Sequence, residues 1–128
     1  MIRDIHHAQV TVPPDRLEEA IAFYGGLLGL QRIDRPTGEG WRPNGAWFAV
    51  GSRQLHVGVE EIDRVKPTRA HVAYHVDDLP ALLAKLRAAG LDCQSDDDPV
   101  VPKIPGWRRF QSRDPFGNQI EFVSEDRG

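Results

Sequence analysis

The apolar positions of this chain keep two different periods, and they change from one to the other twice. Residues 5–12 (IHHAQVTV) alternate with period two, as in a strand with one buried face. After Pro13-Pro14-Asp15 the spacing changes. Leu17, Ala20, Ile21, Tyr24, Leu27 and Leu28 follow the i, i+3, i+4, i+7 template of a helix with one apolar stripe. Gly25, Gly26 and Gly29 crowd its end and weaken the last turn. Three short strands are predicted next, near 30–34, 46–50 and 54–60. A Gly/Pro-rich loop over 36–45 and a tight turn at Gly51-Ser52 separate them.

The same order then returns. Residues 70–76 (AHVAYHV) read as a strand, and Asp77-Asp78 supplies a cap for a helix with Pro80 in its first turn. Leu79, Leu82, Leu83 and Leu86 form that helix's apolar stripe, and Gly90 is placed to end it. Strands are predicted near 91–95, 107–112 and 118–124. The loop over 96–106 is Pro-rich, and Asp114-Pro115-Phe116-Gly117-Asn118 carries the residues of a hairpin turn. Each half therefore reads βαβββ. The fold class is α+β, a single domain over 1–128 built of module one (1–66) and module two (67–128).

The repeat makes the histidines informative. His7 lies in the first strand of module one and His71 in the first strand of module two, 64 residues apart. In the last strands, Gln54-Leu55-His56-Val57 aligns with Gln119-Ile120-Glu121-Phe122, which sets His56 against Glu121 at an offset of 65. Four metal-ligand residue types thus occupy two pairs of equivalent positions. Each is also predicted on the more polar face of its strand: His7 with Gln9 and Thr11, His71 with Ala73 and His75, His56 with Gln54, Glu121 with Gln119. Imidazole and carboxylate donors suit one divalent ion, Zn, Ni, Fe, Mn or Co, and a set without thiolates argues against Fe–S or Cu(I). Gln9, Thr11, Gln54 and Gln119 are candidates to hydrogen-bond the ligands. His6 is assigned to the opposite face from His7. His75 stands roughly 13 Å along the strand from His71, which makes it a pocket or rim residue.

Composition narrows the function classes. A net charge of −3 without a run of Lys or Arg lacks the basic footprint of a nucleic-acid binder. No stretch approaches the length of a membrane span, so a cytoplasmic protein without nucleic-acid or membrane partners is expected. Cys93 is the one cysteine and reads as a small buried apolar residue. The acidic run Asp96-Asp97-Asp98 reads as a solvated loop. Trp41, Trp47, Trp107 and Phe110 are either pocket or core aromatics, and Arg108 or Arg109 is placed to neutralise an anionic ligand.

Several of these segments carry a resemblance. His7-Ala-Gln-Val, the Ala22-Phe23-Tyr24…Leu28-Gly29-Leu30 helix end, Ala70-His71-Val72 and Asp114-Pro-Phe-Gly-Asn-Gln-Ile-Glu121-Phe122 resemble the vicinal oxygen chelate superfamily. Glyoxalase I, fosfomycin-resistance thiol transferases, extradiol dioxygenases, methylmalonyl-CoA epimerase and bleomycin-binding proteins belong to it. The resemblance implies paired βαβββ modules whose mixed sheets form a cup around a metal held by His7, His71, Glu121 and His56. It also implies bidentate chelation of a small oxygenated substrate, as in a glyoxalase-like lyase or isomerase or an extradiol-type dioxygenase, and a homodimer. Glu121 and His56 are then the proton-transfer residues, and Gln9, Trp47, Arg108 and His75 the substrate-binding ones. The position of His56 is a glutamate in microbial glyoxalase I, so the histidine here departs from that pattern. The alternative is a non-catalytic binding protein of the bleomycin-resistance type, which lacks metal ligands.

Overall fold

Each half of the chain folds into a four-stranded mixed sheet, and the two sheets repeat one topology. The structure, a computed structural model, describes residues 1–128 as two units, Met1–Lys66 and Pro67–Gly128. Unit one holds β1 (His7–Val12), β2 (Gln31–Ile33), β3 (Gly45–Val50) and β4 (Arg53–Val59), in the order β1-β4-β3-β2. Unit two holds β5 (His71–His75), β6 (Gln94–Ser95), β7 (Trp107–Arg113) and β8 (Gln119–Glu125), in the order β5-β8-β7-β6. The first strand of each unit pairs in parallel with the last, and every other pairing is antiparallel. A parallel pair needs a crossover, which the helix and the intervening strands supply. The βαβββ reading of both halves therefore stands, though β6 is only two residues long where 91–95 was expected.

The strand periods sort side chains as the sequence requires. In β1, Val10 and Val12 are buried while His7 and Gln9 are exposed. In unit one these valines join Tyr24, Phe48, Leu55 and Val57 in an apolar layer. In unit two, Tyr74 and Phe110 pack on Phe122, with ring centroids 5.5 and 4.9 Å apart, beneath Leu79 and Leu86 of the helix. A large aromatic buried this way contributes on the order of 3 kcal/mol, which is why each half can form its own core.

The first helix departs from expectation. In place of one α-helix, the chain makes a 3-10 turn at Pro14–Arg16, a short α1 (Leu17–Ile21) and a π-helical stretch over Ala22–Leu27. Leu28 N–H donates to Phe23 C=O at 2.9 Å, a five-residue span that marks the wider winding. Gly25 lies within that stretch against Phe48, where a methyl group would come 3.2 Å from the ring. Close packing on β3 and an extra residue per turn are thus accommodated together, which apolar spacing alone does not foretell.

The second helix, α2 (Leu79–Ala88), follows its sequence signals. The Asp78 carboxylate accepts the Ala81 N–H at 3.1 Å. Gly90, at φ +91°, ends the helix, with its N–H on Arg87 C=O and the Leu91 N–H on Leu86 C=O. The turn before β8 is held by Asp114, whose Oδ1 accepts the N–H groups of Phe116 and Asn118 at 2.9 and 2.8 Å.

Asp96 corrects the reading of its acidic run as solvated. It is 1% exposed, and its carboxylate takes Arg108 Nη2 at 2.9 Å and the Arg109 backbone N–H at 3.0 Å. Burial works to raise its pKa, but the Arg108 and Arg109 hydrogen bonds prevail and hold it below the usual carboxylate value. The start of the 96–106 loop is thereby tied to β7. No helix of the chain is long and apolar enough to cross a membrane.

Candidate metal half-sites

Strand register places the four candidate ligands as two equivalent pairs. In unit one, His7 lies opposite Gln54 and Gln9 opposite His56, so His7 and His56 stand on a diagonal across β1 and β4. In unit two, His71 lies opposite Gln119 and Ala73 opposite Glu121, which is the same diagonal across β5 and β8. Within each pair the side chains meet. No group of three or more His, Cys, Asp or Glu side chains in the chain is arranged to hold a metal ion, so each unit carries two donors.

In unit one the donors are part of a ring stack. His7 stacks on His56 with centroids 4.1 Å apart, and Trp47, the β3 partner of His56, covers the other face at 3.8 Å and 2°. His56 is 5% exposed between them. Its Nε2 lies 2.8 Å from Gln54 Oε1; with that oxygen accepting, Nε2 carries the proton and Nδ1 keeps a lone pair. Burial, then the neighbouring His7 and His6, lower its pKa to about 4, so the ring is neutral at pH 7. His6 differs from its assignment. It precedes β1, so strand alternation does not govern it, and its Nδ1 lies 3.0 Å from that of His7.

In unit two the donors are oriented by the backbone and by an arginine. His71 Nδ1 stands 2.8 Å from the Arg69 carbonyl and donates to it, which leaves Nε2 as the free lone pair, 3.5 Å from Glu121 Oε1. Glu121 is buried and receives Arg109 Nη1 on the same oxygen at 2.7 Å. Arg109 in turn donates through Nε and Nη2 to Pro102 C=O, at 2.9 and 2.7 Å. The arginine links the 96–106 loop to the candidate ligand.

The other predicted site residues are divided between faces. Gln9 and Trp47 line a cavity of about 350 Å³ in unit one, together with His7 and His56. Arg108 does not reach Glu121. It belongs to the alternate face of β7, beside buried Phe110, and pairs with Asp96 and Asp97, whereas Arg109 pairs with Glu121. His75 meets Trp107 edge-on at 5.1 Å. Gln119 contacts Gln111 at 3.4 Å. Phe110 is core, whereas Trp41 is 48% exposed and meets Trp47 at 6.0 Å.

These donors fit a divalent ion in chemistry. A ligating histidine commonly donates its second nitrogen to a carbonyl or side-chain oxygen, as His71 does to Arg69 and His56 to Gln54. A neutral imidazole is the form that binds metal, and His56 is held neutral. The Arg109 contact to Glu121 is the feature that works against a metal, since it supplies a competing cation.

Residues 4–122 match the family model described as Glyoxalase/Bleomycin resistance protein/Dioxygenase superfamily. The chain belongs to that superfamily. It is similar to a glyoxalase family protein of Bacillus anthracis, with 35% identity, a TM-score of 0.82 and 98% of each chain covered. The fosfomycin resistance protein FosX of Listeria monocytogenes shares its fold at 16% identity and a TM-score of 0.76, covering 99% of this chain and 94% of that one. A lactoylglutathione lyase of Agrobacterium tumefaciens shares it at 20% identity and 0.68, covering 94% and 92%. No curated protein matches the chain in sequence. Superfamily membership and the fold of two βαβββ units thus bear out what the His7, His71 and Asp114–Phe122 segments suggested.

Proposed function

We propose that this protein is a metal-dependent enzyme of the superfamily. It acts on a small oxygenated metabolite held through two neighbouring oxygens, in a glyoxalase-like lyase or isomerase reaction or an extradiol-type dioxygenation. The observation that carries the proposal is the repeated diagonal pair, His7 with His56 and His71 with Glu121, in which His71 presents a free Nε2 to the carboxylate. His7, His71 and Glu121 are the ligands, with His56 a fourth ligand or the base beside them. When bound, the metal supplies Lewis acidity to substrate oxygens.

The chain's own residues do the rest. His56 is neutral and oriented by Gln54 and Trp47, so Nδ1 keeps its lone pair free at neutral pH to face the metal or the substrate. Glu121 is the second proton-transfer group, and Gln9 and Trp47 bound the space beside the histidines. The two half-sites are joined in a homodimer, where unit one of one protomer meets unit two of its partner.

Protein purified without chelators is expected to hold a divalent metal in stoichiometric amount, and His71→Ala and Glu121→Gln are expected to lose it. Wild-type protein that carries none and takes up none on titration would overturn the reading. Iron with O₂ consumption on catechols assigns the dioxygenase branch; nickel or zinc with thiohemiacetal isomerisation assigns the glyoxalase branch. Light scattering should give the dimer mass, and a monomer mass would reject the shared site.

A further inference from the structure

The unit-one cavity contains two arginines that the proposed chemistry leaves without a task. Arg35 and Arg42, from the loop between β2 and β3, line it beside Trp41, Trp47 and the stacked histidines. Neither guanidinium lies within ion-pair distance of a carboxylate, and both face the cavity. Arg35 Nη2 donates to the Arg42 carbonyl at 2.7 Å, and its Nε is buried without a hydrogen-bond partner. The fold makes room for this side chain. At Gly45 a methyl group would come 3.3 Å from Arg35 Nε and 3.0 Å from Val57 C=O. Glu60 is the one carboxylate in the lining, so the wall is cationic on balance.

An arginine fixed at one edge, with donors unspent and no counter-ion, is suited to grip an oxyanion. Trp41 and Trp47 offer the neighbouring apolar surface, their rings 6.0 Å apart and edge-on. We infer that Arg35 and Arg42 form an oxyanion subsite that selects substrates bearing a carboxylate, phosphonate or phosphate group. The anion sits against the arginines while the oxygenated carbons reach His7 and His56. The substrate class this adds to the proposed function rests on that reading, but the subsite itself needs no metal.

The test therefore uses metal-stripped full-length protein. Phenylphosphonate and benzoate are titrated against tryptophan fluorescence, with benzyl alcohol as the uncharged counterpart. Both anions are expected to quench saturably, and benzyl alcohol to bind at least about tenfold more weakly, the effect of losing a charge-assisted hydrogen bond. Arg35→Gln should weaken anion binding by about tenfold or more and Arg42→Gln by severalfold. Arg35→Lys should keep part of the affinity, which separates lost charge from misfolding. Arg64→Gln, an equal charge loss at an exposed position of the same unit, should change nothing. Wild-type protein that does not distinguish the anions from benzyl alcohol, or Arg35→Gln and Arg42→Gln proteins that bind like wild type, would overturn the subsite. Metal uptake is scored separately on the same proteins. Anion binding without metal would reject the enzyme reading alone, and metal without anion binding the subsite alone.

Discussion

Glu121 Oε1 is shared between two positions of the site: Arg109 Nη1 at 2.7 Å and His71 Nε2 at 3.5 Å. The arginine pairs with a buried carboxylate and would compete for the same oxygen with the proposed metal. Replacing it should therefore separate stability from affinity. Arg109→Gln is expected to lower metal-free stability by about 1–3 kcal/mol, because Glu121 stays buried with a weaker partner. The same change should tighten Mn(II) or Zn(II) binding. Urea melts and calorimetric titration read the two effects, and a loss of both would show that Arg109 organises the ligand.

The ring stack gives a second prediction. Burial is the main cause of the low His56 pKa, and Trp47 forms one wall of that burial. In metal-free protein the His56 ring protons should titrate near pH 4 by NMR, and Trp47→Ala should move the midpoint upward toward the ordinary histidine value. A midpoint unchanged by the substitution would assign the shift to the neighbouring histidines.

Asp96 predicts an acid limit of stability. Its folded pKa lies below the unfolded one, so its contribution is complete above the unfolded carboxylate value and is lost as pH falls through the folded value. Stability should decline below about pH 4 in wild type. Asp96→Asn should start lower, by about 2–3 kcal/mol at neutral pH, and show a shallower acid decline. Thermal melts from pH 3 to pH 7 would measure both.

These cases also mark what was legible in the sequence. Strand faces were, because period two is set by backbone geometry; His7, His71 and Glu121 therefore came with their correct neighbours. The roles of Arg108 and Arg109 were not. They are adjacent on β7, and only the register of that strand decides which one reaches Glu121. Asp96 was misread because its burial comes from residues twelve and thirteen positions on, which no local pattern reports. His6 escaped because alternation starts with the first paired residue, and that residue is His7. Arg35 had no sequence signal: its isolation from carboxylates is a property of the folded loop.

Gly58 provides a local check on the cavity. A methyl group there would come 2.7 Å from Gln9 Nε2, the far end of a flexible side chain. Gly58→Ala should therefore cost less than about 1 kcal/mol of stability, since a rotamer change relieves the clash. It should nevertheless displace the Gln9 amide and raise KM more than it lowers kcat. A large loss of stability would mean that Gln9 is held more firmly than its exposed position suggests.

Two donors per unit have a consequence for the proposed uptake of a metal. A pair of ligands holds a first-row ion far more weakly than a set of three or four. In the proposed dimer, where the remaining donors come from a second chain, occupancy would become a function of protein concentration, and metal and subunit association would reinforce each other. Dilution should then strip the ion at constant free metal, and excess metal should drive dilute chains together. The repeat in the sequence would thus act as a sensor of the protein's own abundance.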